Sequence, residues 1–380
     1  MPDHSILYPH HVGRQYPAWL RSFPEFIRQG VDSPARTEGI RSIFVDNDYW
    51  RCPAGNGNLK LKPQQRFELI LNRQSRFKWD ETYIPSTLAV PREAPKGSRI
   101  SRLNSRKLGR SIHVLSTPER VFAQLALYHP ELIDLHEQKM LSPVRTVHPL
   151  HGHSLASGYF PTPMTGTLEI AKSIGFKHHE IAVDLPDGQR KKMPFPYQGD
   201  LLLFMRKGTD APYAVNWSVK DVSGAFAERR LRRAKTPLQQ KKDQDHARLR
   251  AQLEAEYYSR AGIKTHQVSL DLIPEALIAN LDLLFAMHDL PLTLDPTLLD
   301  EFSQELGVFF EKGLRISDLA NRYGARWGFR DQFLARFYQD IWARKLDVCM
   351  FEPILIDHPL RRKEKDLLEV YGSLFEEQAS

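Results

Sequence analysis

Glu119, Asp200 and Lys220 are the side chains of this sequence whose types and order suit hydrolytic chemistry. Cleaving a phosphodiester needs an activated water and neutralisation of the charge that builds on the phosphate. One or two magnesium ions held by carboxylates supply both, and a nearby lysine can position the water or stabilise charge. Asp200 and Lys220 lie 20 residues apart, room for two strands and a turn, and Glu119 lies 81 residues before Asp200. An acid followed at a distance by x-Lys on a strand is a weak signal by itself. The plain alternatives are a turn-capping carboxylate at Asp200 and a solvent-exposed strand end at Lys220.

The elements that must position these groups can be read from local patterns. Asp200 opens the apolar run Leu201-Leu202-Leu203-Phe204-Met205 after Gly199, the mark of a buried strand. From Tyr213 to Lys220 the chain alternates: Asn216, Ser218 and Lys220 share one face, and Tyr213, Val215, Trp217 and Val219 the other. Arg206-Lys207-Gly208-Thr209-Asp210 reads as the hairpin connection, which brings Asp200 and Lys220 to one end. Ser116 or Thr117 can cap a helix, Pro118 suits its first turn, and Val121, Phe122, Leu125 and Leu127 supply its apolar face. Glu119 then sits in that first turn.

Other segments are simpler. A helical stretch is expected near 63–73, and a long charged helix over about 238–261 that Gly262 stops before a strand at 264–270. Residues 314–320 read as a capped short helix ending at Tyr323-Gly324. A longer helix follows with Phe333, Leu334, Phe337, Ile341 and Trp342 on one face, then a short strand over 346–351. Helix, turn, helix, strand is the outline of a winged helix.

The net charge of +7 and pI near 9.2 hint at a polyanionic partner, and the placement of charge says more. Residues 91–110 carry seven Lys/Arg against one Glu and read as a linker or basic loop; residues 229–250 carry nine against two Asp. Two basic stretches flanking one catalytic core predict phosphate contact. Arg102, Arg106, Lys107 and Arg110 are the candidates from the first, and Arg229, Arg230, Arg232 and Arg233 from the second. Near the second helix of the C-terminal motif, Arg330 is the candidate, with Arg326 and Arg336 beside it; a protein-docking helical domain is the other reading there.

The two cysteines, Cys52 and Cys349, exclude a disulfide scaffold and a Cys-rich zinc site, and suit a reducing cytoplasm. The N-terminus lacks a signal-peptide core, and no apolar run approaches the length of a membrane span, so a cytoplasmic protein is expected. His148, His151, His153, His178 and His179 suggest a metal site at first sight, but His148-Pro149-Leu150-His151-Gly152-His153 reads better as a polar loop. No phosphate-binding G-x-x-x-x-G-K-[ST] and no G-x-S-x-G occurs.

From about 111 to 283 the chain resembles the TnsA endonuclease subunits of heteromeric cut-and-paste transposons, which belong to the restriction-endonuclease-like nucleases. The matching pieces run in order: Ser116-Thr117-Pro118-Glu119-Arg120, Gln138, Gly199-Asp200 and Ser218-Val219-Lys220 come first. Glu256-Tyr257-Tyr258, Gly262-Ile263, Val268-Ser269-Leu270 and Ile278-Ala279-Asn280-Leu281 follow. The resemblance implies an α/β fold with a mixed-sheet core flanked by helices over 106–285. It also implies a mostly helical, winged-helix-like domain over 286–380. Separately, the aromatic and proline content of the region before the core suggests that 1–105 is an N-terminal accessory region with a basic linker.

By the same resemblance Glu119 and Asp200 are metal ligands, the Val219 carbonyl a further one, and Lys220 the catalytic lysine. Mg2+ is the implied cofactor, with Mn2+ able to substitute. The implied partners are double-stranded DNA at transposon ends, an RNase H-like DDE transposase subunit and an AAA+ ATPase regulator. The sequence departs from the family at Ser218, where a Gln or an acid is usual; a serine hydroxyl can hold a metal-bound water but brings no charge. Asn216 on the same face is a possible compensation. The expected activity is hydrolysis of the non-transferred strand at each transposon end. A stand-alone restriction or repair nuclease and a DNA-binding regulator with a decayed nuclease core are the alternatives.

Overall fold

A computed structural model of the 380-residue chain describes residues 60–76, 78–185, 188–228 and 235–378. The chain is mixed α/β. Helix α1 (Pro63–Gln74) precedes a hairpin of β1 (Ser101–Ser105) and β2 (Arg110–Val114), then α2 (Thr117–Tyr128), β3 (Leu132–Glu137) and β4 (Met140–Leu141). Next come α3 (Thr167–Ser173), β5 (Glu180–Asp184), β6 (Arg190–Pro194) and β7 (Tyr197–Gln198). The expected hairpin is β8 (Leu201–Met205) with β9 (Tyr213–Lys220), followed by α4 (Pro237–Ser259) and β10 (Lys264–Ser269). The C-terminal part is α5 (Glu275–Met287), α6 (Pro296–Glu311), α7 (Ile316–Trp327), α8 (Arg330–Trp342) and the short α9 (Leu367–Val370). Among the described residues no helix is long and apolar enough to cross a membrane.

The central sheet has the order β10-β9-β8-β3, with β8 antiparallel to both neighbours and β10 parallel to β9. Its layers follow from alternation. Every residue of β8 is buried because both faces are covered. On one face Leu201, Leu203, Val215 and Trp217 join Val121, Phe122 and Leu125 of α2; on the other Leu202, Phe204 and Ala214 meet Leu253, Tyr257 and Tyr258 of α4. Trp217 is fully buried, meets the Phe122 ring edge-on at 5.8 Å and donates its indole N–H to the Leu374 carbonyl at 2.7 Å. Truncating such a ring to Ala costs about 3–5 kcal/mol.

Three sequence expectations need revision. Residues 101–110 are not linker: Leu103 pairs with Ile112 and Ser101 with Val114 across a β-hairpin, while Arg102 and Asn104 are exposed. The turn uses Gly109 at φ +63°, a conformation open to glycine. Residues 346–351 form no strand; Val348 makes only an isolated bridge with Arg362. Helix α7 also runs past Gly324 to Trp327; the glycine there makes room for the start of α8 rather than ending the helix, since a Cβ would sit 2.9 Å from Cβ of Arg330.

Apolar packing continues across residues 285–286. One apolar cluster runs from Leu103 through α2 and the sheet to Phe302, Phe333 and Phe375, and α5 packs on both α2 and α8. At the other end, α1 joins the β5–β6 hairpin in a small apolar cluster of its own. Phe67 and Leu71 pack on Ile181, Val183 and Met193 of the β5–β6 hairpin, and Tyr83 stacks on His136 of β3 at 3.8 Å. Residues 1–59 of the expected accessory region lie outside the described residues, as do Cys52, Arg229, Arg230, Arg232 and Arg233.

Candidate active site

Each candidate side chain is placed by a local device. Ser116, extended at the N-cap of α2, accepts the Glu119 N–H at 3.3 Å and fixes the first turn. The Glu119 carboxylate folds back to accept the Leu115 N–H and the Ser116 hydroxyl, each at 2.9 Å. Asp200 precedes β8, and the pairing of Leu201 with Trp217 sets it beside the end of β9. There its Oδ2 accepts the Val219 N–H at 2.7 Å. The Lys220 ammonium lies 3.6 Å from the same oxygen and donates to the Val219 carbonyl at 2.9 Å.

Gln138 joins the two acids. Its backbone N–H donates to the Asp200 carbonyl at 3.0 Å, and its side-chain amide donates to Glu119 Oε2 at 2.8 Å. Doing both requires φ +50°, an uncommon left-handed conformation for a residue with a side chain. The sequence marked Gln138 only as a matching position. A residue just past the end of β3 carries no local sign of this role, because the bond to Asp200 spans the excursion of residues 139–199.

The acids strain one another. Burial first, and the Asp200 charge second, lift the Glu119 carboxyl to about 7, against the pull of the Leu115 amide, the Ser116 hydroxyl and the Lys220 ammonium. Glu119, Gln138 and Asp200 open into a cleft of about 780 Å³ whose walls carry Arg66, Lys96 and Arg99. The basic stretch at 91–99 thus contributes as a cleft wall, and an anionic ligand entering there meets cations at the rim and carboxylates at the floor.

Ser218 is half-buried on the strand face that carries Asn216 and Lys220. Asn216 is fully buried and turned toward other partners, donating to Glu254 at 3.1 Å and Thr265 at 3.3 Å. It therefore does not replace the charge that Ser218 lacks. Among the described residues no three His, Cys, Asp or Glu side chains are grouped to hold a metal. His148 and His153 each use Nδ1 to accept an amide of their own loop, from Leu150 and Leu155.

The basic candidates divide. Arg102 and Arg106 are exposed on the β1–β2 hairpin. Lys107 is tied to the carbonyls of His129 and Pro130 at 2.7 and 3.3 Å. Arg110 turns inward: its guanidinium grips both oxygens of buried Glu137 at 2.9 Å and the Leu135 carbonyl, a structural use that leaves little for phosphate. Arg330 is bonded to Asn321 at 2.6 Å, and Arg336 is held by Asp300 and Asp340. Arg326 lies over the Trp327 ring at 4.9 Å. The sequence matches no known protein-family model and no curated protein.

Proposed function

We propose that the chain is a divalent-metal-dependent DNA endonuclease. In this reading it is the subunit of a cytoplasmic transposase that hydrolyses the non-transferred strand at transposon ends. The observation that carries the reading is the meeting of Glu119 and Asp200 in one cation-rimmed cleft, with Lys220 3.6 Å from Asp200. The succession of α2, three antiparallel strands, α4 and a parallel fourth strand is what a restriction-endonuclease-like core would need. The helices from α6 to α8 would be its helical, winged-helix-like appendage.

The donor set suits one Mg2+, which keeps several waters and takes one or two carboxylates besides phosphate oxygens. Glu119, Asp200 and the Val219 carbonyl would hold it, and Mn2+ would accept the same oxygens. Burial first and the Asp200 charge second lift Glu119, and a dication would relieve the second of these. When bound, the ion would lower the pKa of a water and offset charge on the scissile phosphate. The chain's own groups do the rest. Gln138 and Ser116 aim the Glu119 carboxylate, the Val219 amide aims Asp200, and Lys220 stands ready to orient water or steady the phosphate. Arg66, Lys96 and Arg99 would hold flanking phosphates. A DDE transposase subunit and an AAA+ ATPase are the partners this role requires.

Cleavage of duplex DNA bearing a transposon end, with Mg2+ and with and without those partners, tests the reading. Asp200→Ala should remove nicking and leave DNA binding within about twofold. Nicking that survives the substitution refutes the site. Strong sequence-directed cleavage by the chain alone would point instead to a stand-alone nuclease. A regulator with a decayed core has one observation in its favour: Ser218 adds no charge and Asn216 is engaged elsewhere. Calorimetry with Mg2+ or Mn2+ separates it, since a decayed core would give no binding that Glu119→Gln removes.

A further inference from the structure

A second cleft, of about 760 Å³, opens beside the first, and Arg66 and Gln198 line both. Its chemistry differs. Lys177 and Lys192 project into it from the chain before β5 and from β6; both are exposed and neither forms an ion pair among the described residues. Glu180 is the one acid on its lining. Rings supply much of the rest: Phe195, Tyr197, His179 and His246. Tyr197 already carries a cation on one face, the Arg250 guanidinium at 4.6 Å.

Cations interleaved with flat rings are what a single nucleic-acid strand needs, because backbone charge is met by lysine and each unpaired base offers a π face. A duplex offers the backbone charge but not the free base faces, since its bases are already stacked. The volume falls within the range of about 300–1,000 Å³ of ligand sites and accommodates a short stretch of nucleotides rather than a helix. Arg66 stands at the junction with donors to spare. Its Nε is buried without a partner, and its nearest bond is a long one of 3.4 Å from Nη2 to Thr87. A phosphate passing from one cleft to the other would meet that guanidinium.

We infer that this second cleft binds a single-stranded segment of DNA continuous with the strand cut in the first, with Arg66 gripping the phosphate between them. The inference rests on the nuclease reading for its direction but not for its measurement. Binding is read by fluorescence anisotropy on the full chain in EDTA, with a labelled oligothymidine of twelve nucleotides and, separately, a blunt duplex. Lys177→Ala/Lys192→Ala should weaken the oligonucleotide about tenfold and change duplex affinity less than twofold. Its salt slope should fall by about 1.4, from two lost contacts at about 0.7 each for single strands. Arg66→Gln should weaken both ligands, as it borders both clefts. Equal losses for oligonucleotide and duplex in the double variant, or no loss for either, overturns the inference. Because no cleavage enters, a failure of the nuclease reading shows only in the Asp200→Ala experiment.

Discussion

The two clefts that meet at Arg66 and Gln198 are nearly equal in size and opposite in design. The first buries one acid beside another, and burial first and the Asp200 charge second lift the Glu119 carboxyl to about 7. The second gathers lysines and rings with one acid among the lining residues. Strained charge is a feature of sites that perform chemistry, because the groups must be ready for something that is not yet there. A site that only holds a ligand can leave its side chains exposed and separately solvated. The contrast also extends to support: Glu119 accepts from three neighbours, whereas Lys177 and Lys192 stand free in solvent.

The contrast predicts unequal responses to substitution. Asp200→Ala should abolish cleavage outright while sparing the second cleft. Gln138→Leu should come next. It leaves both acids in place but removes the amide that holds Glu119, and the loss of such a supporting bond typically costs about 10–100-fold in activity or metal affinity. Steady-state nicking checks this, and a variant within twofold of the parent would show that Gln138 is passive. Gly166→Ala should act on the other cleft. A Cβ there would lie 2.5 Å from the Pro143 carbonyl and the Val144 backbone, at the start of α3. Thr167 in that helix bonds the His178 ring at 3.0 Å. A destabilisation of about 1–3 kcal/mol is expected, with weaker oligonucleotide binding and an unchanged nicking rate per folded molecule.

The smallest effect is one of pH and tests both sides at once. Burial pushes His113, in β2, and His148, in the excursion between β3 and β8, each down to about 4; His129 behaves alike. Their folded values lie below the ordinary value near 6.5, so the unfolded chain takes up protons first as the pH falls. The stability they lend is complete above about 6.5 and drains away toward 4. Thermal melts should therefore show a lower Tm at pH 5 than at pH 7.5. An equal or higher Tm at pH 5 contradicts the burial of these rings, and His148→Gln should reduce the drop.

Much of the site's local geometry is legible in the sequence. The β8–β9 hairpin, the capped start of α2, and α4 ended by Gly262 at φ +77° all obey signals a few residues long. The β1–β2 hairpin escaped notice because its basic outward residues, Arg102 and Arg106, mask the inward alternation of Leu103, Ile112 and Val114. Arg110 looked like its neighbours in sequence, yet faces Glu137 because it lies on the inner side of that hairpin's end. The excursion between β3 and β8 was silent as well. It packs on α1, from the other side of α2 in the chain, and no local pattern encodes that choice of neighbour.

Asp200 and Lys220 are neighbours because a period-two strand and a short turn bring their ends together, and the sequence by itself determines that. That Glu119 faces Asp200 was decided only by tertiary structure. The meeting depends on a glutamine in a left-handed conformation bridging from the end of β3 to the start of β8. The second cleft likewise exists only where α1, the β5–β6 hairpin and α4 converge. Short-range patterns set which face a side chain takes; which faces then meet depends on burying apolar surface across long stretches of chain, and that is settled by the whole fold together.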